Sequence, residues 1–252
     1  MVITFLGTGT SQGIPVPACS CEVCKNGDIK DHRLRTSALI EVDDTIISID
    51  AGPDFRYQML RENVTKLDAI IITHSHRDHI AGLDDVRSYN YLTKKPMDIY
   101  ATAYDQIEIK QEFSYAFNNN YPGLPKYNLK TINDEDFDVD NIKIIPIRAL
   151  HYNTQVMGFR IGDFAYITDT NYIPPSSLMK LIGCKVLVLT ALRREQHPSH
   201  YNLEGALKII DFLQPDKAYL THISHMMGFH GDLEKELPKG VFAAYDGLKL
   251  QI

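Results

Sequence analysis

Residues 73–79 read Thr73-His74-Ser75-His76-Arg77-Asp78-His79. They follow Leu67-Asp68-Ala69-Ile70-Ile71-Ile72, an apolar run with the character of a buried β-strand, and precede Ile80-Ala81-Gly82-Leu83, which reads as a helix entry. The strand thus delivers His74, His76, Asp78 and His79 to its exposed end. Imidazole nitrogen and carboxylate oxygen suit borderline divalent metals. Side chains so close in sequence cannot all reach one ion: His74 and His76 fall on one side of a turn, and Asp78 and His79 come round to the other. Two adjacent metals are the expected solution.

Beyond this motif, other strand-like runs end on the same chemistry. Ile142–Leu150 alternates and ends on His151; Phe164–Thr168 ends on Asp169; Lys217–Thr221 ends on His222. Ligands carried on separate strand ends converge on one edge of a sheet stack, which is how a preorganised site is built. Thr45–Ile49, paired with Ser37–Val42 across Asp43-Asp44, ends on Asp50. This carboxylate could orient a ligand imidazole from behind, or cap a turn.

The remaining segments fill in the frame. Val2–Leu6 is a strand, and Gly7-Thr8-Gly9-Thr10-Ser11-Gln12-Gly13 a tight turn without the Lys-Ser/Thr ending of a phosphate loop. Helices are expected over Asp54–Glu62, Ala81–Thr93, Tyr104–Phe117 and Asn202–Leu213, the last with an Asn cap. Asp84, Asp85 and Arg87 read as a solvated or internally paired face, and Arg77 as a solvated side chain or an anion contact. The irregular stretch 118–127, flanked by Tyr115, Phe117, Tyr121 and Tyr127, is either a substrate loop or a loop packed down by its aromatics. Residues 241–252 read as two closing strands. His32, His197 and His230 are expected at the surface.

Cys19-Ser20-Cys21-Glu22-Val23-Cys24 lies in a Pro/Gly-rich loop within residues 15–35. Such spacing makes a metal claw or unpaired structural thiols, and a closed zinc site needs a fourth ligand, best supplied by a distant histidine.

Composition limits the rest. The 252 residues, 44% hydrophobic and 23% charged, suffice for one large α/β domain, and no repeat or linker divides them. A net charge of −6 argues against a long phosphate backbone as the main partner. No apolar run is long enough to span a membrane, the opening residues lack a basic start and cleavage site, and cysteines are few, so a cytoplasmic protein is expected.

The motif His-x-His-x-Asp-His at 74–79, with the distant ligands, resembles the signature of the metallo-β-lactamase superfamily. The resemblance implies a four-layer αββα sandwich with a dinuclear site at one sheet edge. His74, His76 and His151 would hold one metal; Asp78, His79 and His222 the other; Asp169 would bridge them. The opening Phe5-Leu6-Gly7-Thr8-Gly9-Thr10-Ser11 and the Cys19, Cys21, Cys24 claw are similar to PhnP-like phosphodiesterases. In that group a downstream histidine completes a structural zinc, and His225 stands where it should. His200 matches a histidine of the phosphodiesterase branch that assists the leaving group.

The function this resemblance implies is a phosphodiesterase of small, cyclic ribose phosphates. It would use a hydroxide held between two zinc or manganese ions, with Asp78 and His200 essential to catalysis. Competing expectations are a tRNA 3′-processing endonuclease and a lactone or carboxylic-ester hydrolase. The endonuclease is disfavoured by the acidic chain and by the 17 residues between His151 and Asp169, too few for an RNA-gripping arm. A homodimer is expected by analogy alone.

Overall fold

The computed structural model describes residues 1–118 and 121–252. The described residues form two seven-stranded sheets. The first contains β1 (Val2–Gly7), β2 (Ser37–Val42), β3 (Thr45–Ile49), β4 (Ala69–Ile71), β5 (Met97–Thr102), β6 (Tyr127–Ile132) and β14 (Lys249–Gln251). The second contains β7 (Phe137–Val139), β8 (Ile142–His151), β9 (Thr154–Ile161), β10 (Phe164–Ile167), β11 (Val186–Thr190), β12 (Lys217–Thr221) and β13 (Val241–Ala243). The spatial orders are β14-β1-β2-β3-β4-β5-β6 and β13-β12-β11-β10-β9-β8-β7.

Side-chain alternation explains the layering. Ala69 and Ile71 of β4 enter the core between the sheets, while Ile70 and Ile72 face outward into a second core. In β10, Phe164 and Tyr166 join the shared core and Ala165 and Ile167 point the other way. Strands buried on both faces read as continuous apolar runs. The outer faces are covered by helices: α2 (Phe55–Arg61), α3 (Arg77–Ile80), α4 (Arg87–Thr93), α5 (Ala103–Glu112) and α6 (Ser114–Asn118) lie in the first half. In the second half are α7 (Pro175–Leu181), α8 (Leu203–Leu213) and α9 (His230–Glu236). A short α1 (Glu22–Lys25) sits in the cysteine loop. This is the αββα sandwich, with one central core shared by both halves.

Several expectations need adjustment. The helix expected over Ala81–Thr93 is a 3₁₀ turn, Leu83–Val86, followed by α4. That over Tyr104–Phe117 breaks at Phe113, whose ring is buried against Tyr127, 6.0 Å between centroids. The two tail strands close different sheets: β13 pairs with β12, and β14 with β1. His230 is buried rather than at the surface, where its Nδ1 accepts from the Arg33 guanidinium at 3.2 Å.

The topology also places the stretch 118–127. Strands β3 to β6 run parallel, so the segment entering β6 at Tyr127 lies at the sheet edge opposite the C-termini of β3 and β4. Tyr127 at its end packs against Phe117, 5.5 Å between ring centroids, whereas Tyr121 is 75% exposed, so the aromatics do not pack the stretch down as a whole. Asn119 and Asn120 lie outside the described residues.

Candidate dinuclear metal centre

Asp50 follows β3, residues 73–79 follow β4, His151 ends β8, Asp169 follows β10 and His222 follows β12. Strands β10, β11 and β12 are parallel, and two antiparallel steps return β8 to the same direction. All of these residues therefore share one edge of the sandwich.

The histidine loop is held by close backbone packing. The Ala51 N–H donates to His79 O and the Gly82 N–H to Ala51 O, each at 2.8 Å. A Cβ on Gly52 would fall 2.0 Å from Asp78 O, and one on Gly82 2.1 Å from Gly52 O. Only glycine permits this approach. Asp50, Asp169 and His222 have φ of 64°, 51° and 57°, left-handed values that non-glycine residues seldom adopt. Each costs about 1–3 kcal/mol, characteristic of functional positions held by their surroundings.

The side chains then converge. His74 Nε2 lies 3.0 Å from His76 Nδ1 and 3.7 Å from Asp169 Oδ2. His79 Nε2 lies 3.1 Å from Asp169 Oδ2 and 3.3 Å from Asp78 Oδ2. The His151 ring is 5.2 Å from that of His76. His222 Nδ1 and Asp169 Oδ1 are 2.6 Å apart, yet this buried nitrogen makes no hydrogen bond of acceptable geometry. Donor atoms of His74, His79 and Asp169 lie within 4.8 Å of one another, as do those of His151, Asp169 and His200 and those of Asp78, Asp169 and His222. All three groups contain Asp169. Nitrogen and oxygen donors gathered around one shared, buried carboxylate are more than a single ion needs and fit two divalent ions.

Outer partners fix the imidazoles. The His79 Nδ1–H donates to Asp50 Oδ2 at 2.7 Å. The His74 Nδ1–H donates to Thr73 Oγ1 at 3.0 Å, and that hydroxyl donates to Asp50 Oδ2 at 2.8 Å. The His151 Nδ1–H donates to Ser199 O at 2.8 Å. Each ring is left with Nε2 toward the centre. Of these orienting groups, only Asp50 is signalled by the sequence pattern. The Thr73 and Ser199 contacts depend on rotamer and loop path.

Burial pushes the His74 imidazole well below its usual range. For His79 burial acts the same way, but the carboxylates of Asp169, Asp78 and Asp50 outweigh it and hold the group well above that range. Asp169 is kept well below the ordinary carboxylate range despite burial, because His222 and His79 surround it. The carboxylate is thus ready as an anionic donor.

His200 belongs to the same centre. Its ring is 4.5 Å from that of His151 and 4.9 Å from that of His222, and its buried Nδ1 has no partner. Burial, reinforced by His222, pushes it down to about 3, so it is a neutral donor, not an imidazolium. Arg77 points away, paired with Glu112, and Asp84 pairs with Arg87 at 3.4 Å. Both follow the solvated reading.

The cysteines form a second cluster. Sγ of Cys19, Cys21 and Cys24 lie 3.3, 3.4 and 3.4 Å from His225 Nδ1. Tetrahedral zinc with Zn–S of about 2.3 Å and Zn–N of about 2.1 Å has ligand edges of about 3.6 Å, so the quartet fits one zinc. The Cys24 N–H donates to Cys21 Sγ and lowers that thiol to about 6, while burial raises Cys24 to about 11. His225 begins a 3₁₀ turn three residues beyond His222. The cluster therefore braces one strand of the metal centre.

A sandwich of this form with this edge site defines a class of metallo-hydrolase folds. Residues 45–223 match the family model described as a β-lactamase superfamily domain, and the chain belongs to that superfamily. A crystal structure described as a new diphosphatase from the PhnP family is 38% identical, covers 100% of this chain and 97% of its own, and superposes with a TM-score of 0.94. Zinc-bound PqqB from Methylobacterium extorquens, 17% identical with full coverage of both chains and a TM-score of 0.78, shares the fold. A protein from Porphyromonas gingivalis named octanoyltransferase is 36% identical over 249 residues, 97% of this chain but 50% of that protein. The chain spans less than two thirds of the length of each of the curated relatives it matches. Among the described residues, no helix is long and apolar enough to cross a membrane.

Proposed function

We propose that the chain is a dinuclear metal-dependent hydrolase of a small phosphodiester or diphosphate. The observation that carries this reading is the convergence of histidine and aspartate donors from both sheets on the buried carboxylate of Asp169. His74, His76 and His151 would hold one ion, Asp78, His79 and His222 the other, with Asp169 between them. Zinc and manganese both suit such nitrogen and oxygen donors. Bound there, two divalent cations would lower the pKa of water toward ~7 and neutralise charge on a phosphoryl group. The Cys19, Cys21, Cys24 and His225 quartet, within the loop of about residues 15–35, would hold a structural zinc.

The chain's own residues supply the rest. Asp50, Thr73 and Ser199 keep the imidazoles aimed and in one tautomer, so no reorganisation accompanies the reaction. His200, neutral and with Nδ1 unpartnered, offers a ring N–H to the oxygen that departs from phosphorus. The 38% identical diphosphatase supports phosphorus chemistry. The segment between His151 and Asp169 is wholly taken up by a two-residue turn and the β9–β10 hairpin, which argues against an RNA-gripping arm there. Carboxylic-ester hydrolysis is the second reading, and the octanoyltransferase relative makes an octanoyl thioester its natural probe. A cytoplasmic homodimer remains part of this proposal.

Phosphorus NMR of the metal-loaded protein with five-membered cyclic ribose phosphates and with a nucleoside diphosphate ester, using Asp169→Ala as blank, tests the reading. Formation of one monoester regioisomer, or of two phosphate monoesters, supports it. No turnover of either, with octanoyl thioester cleaved, overturns it.

A further inference from the structure

A cavity of about 410 Å³ opens beside the metal centre, lined by His76, His151, Tyr152, Thr154, Pro198 and Ser199. His76 and His151 form its inner wall; Tyr152 and Pro198 supply ring surfaces. Tyr152 is 61% exposed, the residue directly after His151.

Its backbone is unusual. His151 pairs with Thr154, so Tyr152 and Asn153 form a two-residue hairpin turn. Tyr152 holds the first position with φ 57°, where glycine is the relaxed choice. The turn is pinned from outside: the Tyr152 N–H donates to Asn171 Oδ1 at 2.7 Å. The Asn171 N–H in turn donates to Leu150 O at 2.9 Å. Asn171 lies two residues past Asp169, so the clamp ties the tyrosine turn to the loop carrying the shared carboxylate. A bulky aromatic is thus kept in solvent, in a conformation that disfavours it, at the mouth of the site. The ring belongs to none of the hydrophobic core clusters. Strained, over-determined residues of this kind mark ligand contacts.

The geometry points to Tyr152 as the stacking platform for a nucleobase, making the substrate a nucleoside phosphate ester whose phosphorus sits against the donor groups. This rests on the phosphodiester reading above. An aromatic face takes any base without hydrogen-bond readout, so the pocket selects for presence of a base over its identity. Pro198 lines the same cavity and adds apolar surface to it. The base-free part of the substrate would face His76 and His151.

Two measurements test this. In kinetics on the metal-loaded enzyme, wild type prefers a nucleoside 2′,3′-cyclic phosphate over the base-free ribose cyclic phosphate, read as the ratio of KM values. Tyr152→Ala is expected to reduce that preference about tenfold, with Tyr152→Phe retaining it because the ring carries the contact. An unchanged ratio in Tyr152→Ala, or loss in Tyr152→Phe as well, overturns the assignment. Calorimetry with AMP and ribose 5-phosphate separates this inference from the reaction itself. AMP binding more tightly by about tenfold, with the gap abolished in Tyr152→Gly, upholds the platform even if no phosphodiester is turned over. Equal affinities in wild type overturn it. Tyr152→Gly should also melt no lower than wild type, since it relaxes the turn. A large drop in Tm would show a structural role and overturn the assignment.

Discussion

The Asp50 carboxylate orients donors of both proposed metal positions. It accepts from His79 Nδ1 at 2.7 Å and from the Thr73 hydroxyl at 2.8 Å, and that hydroxyl accepts from His74 Nδ1 at 3.0 Å. His74 and His79 would serve different ions, so one buried carboxylate governs both. Asp50→Asn should keep the fold, because the Thr73 N–H can still donate to Oδ1 as it does now at 2.8 Å. It should weaken metal binding about 10–100-fold. Zinc titration against a competing chelator checks this; loss confined to one ion would show that Thr73 does not relay the orientation to His74.

The cysteine quartet makes a separable prediction. Wild-type protein should keep close to one equivalent of zinc after mild chelation, and Cys21→Ser should lose it, while Asp78→Ala should retain it. Metal analysis of the three proteins reads the outcome. Retention in Cys21→Ser would remove the claw as a zinc site.

His200→Ala should depend on the leaving group. A hydrogen bond from a neutral ring N–H to the developing charge on a departing alkoxide is worth about 10²–10³-fold, whereas an activated aryl leaving group needs no such help. Comparison of alkyl and 4-nitrophenyl esters gives the answer, and equal losses on both would reject leaving-group assistance.

His230 should make the protein sensitive to acid. Burial and the neighbouring Arg33 hold it down to about 4 in the fold, against about 6.5 in an unfolded chain. The unfolded state therefore takes up the proton first as pH falls. The stabilisation is complete above pH ~6.5 and is lost as pH drops, by about 2 kcal/mol at pH 5 and about 3 kcal/mol at pH 4. His230→Asn, whose Oδ1 can replace Nδ1 as acceptor for Arg33, should flatten this slope. Urea unfolding of both proteins at pH 7.5 and 5 measures it. Parallel losses would show that His230 does not titrate in this window.

Much of the architecture was legible because its causes are local. The β2–β3 hairpin runs as expected, with Asp43 at φ 49° in the turn. Asn202 caps α8, its Oδ1 accepting from the Gly205 N–H at 3.0 Å. Alternation of apolar residues marks strands wherever one pleat face meets one core. The breaks in the helices after Ile80 and at Phe113 were not legible, since both are imposed by packing: Gly82 against Gly52, and the Phe113 ring against Tyr127. His230 was misplaced because a lone histidine gives no sign of an arginine distant in sequence.

Residue order was enough to set the chemistry of this protein: which residues can donate to metal, that they sit at strand ends, and that thiols recur at claw spacing. These features arise from residue type and a periodicity of two, which need no knowledge of distant partners. Folding was needed to settle which nitrogen of each imidazole faces inward, that Asp50 serves both halves of the centre, and that Tyr152 is held strained at its mouth. Those features arise where segments far apart in the chain meet, and the energy that fixes them comes from buried contacts that local sequence does not encode.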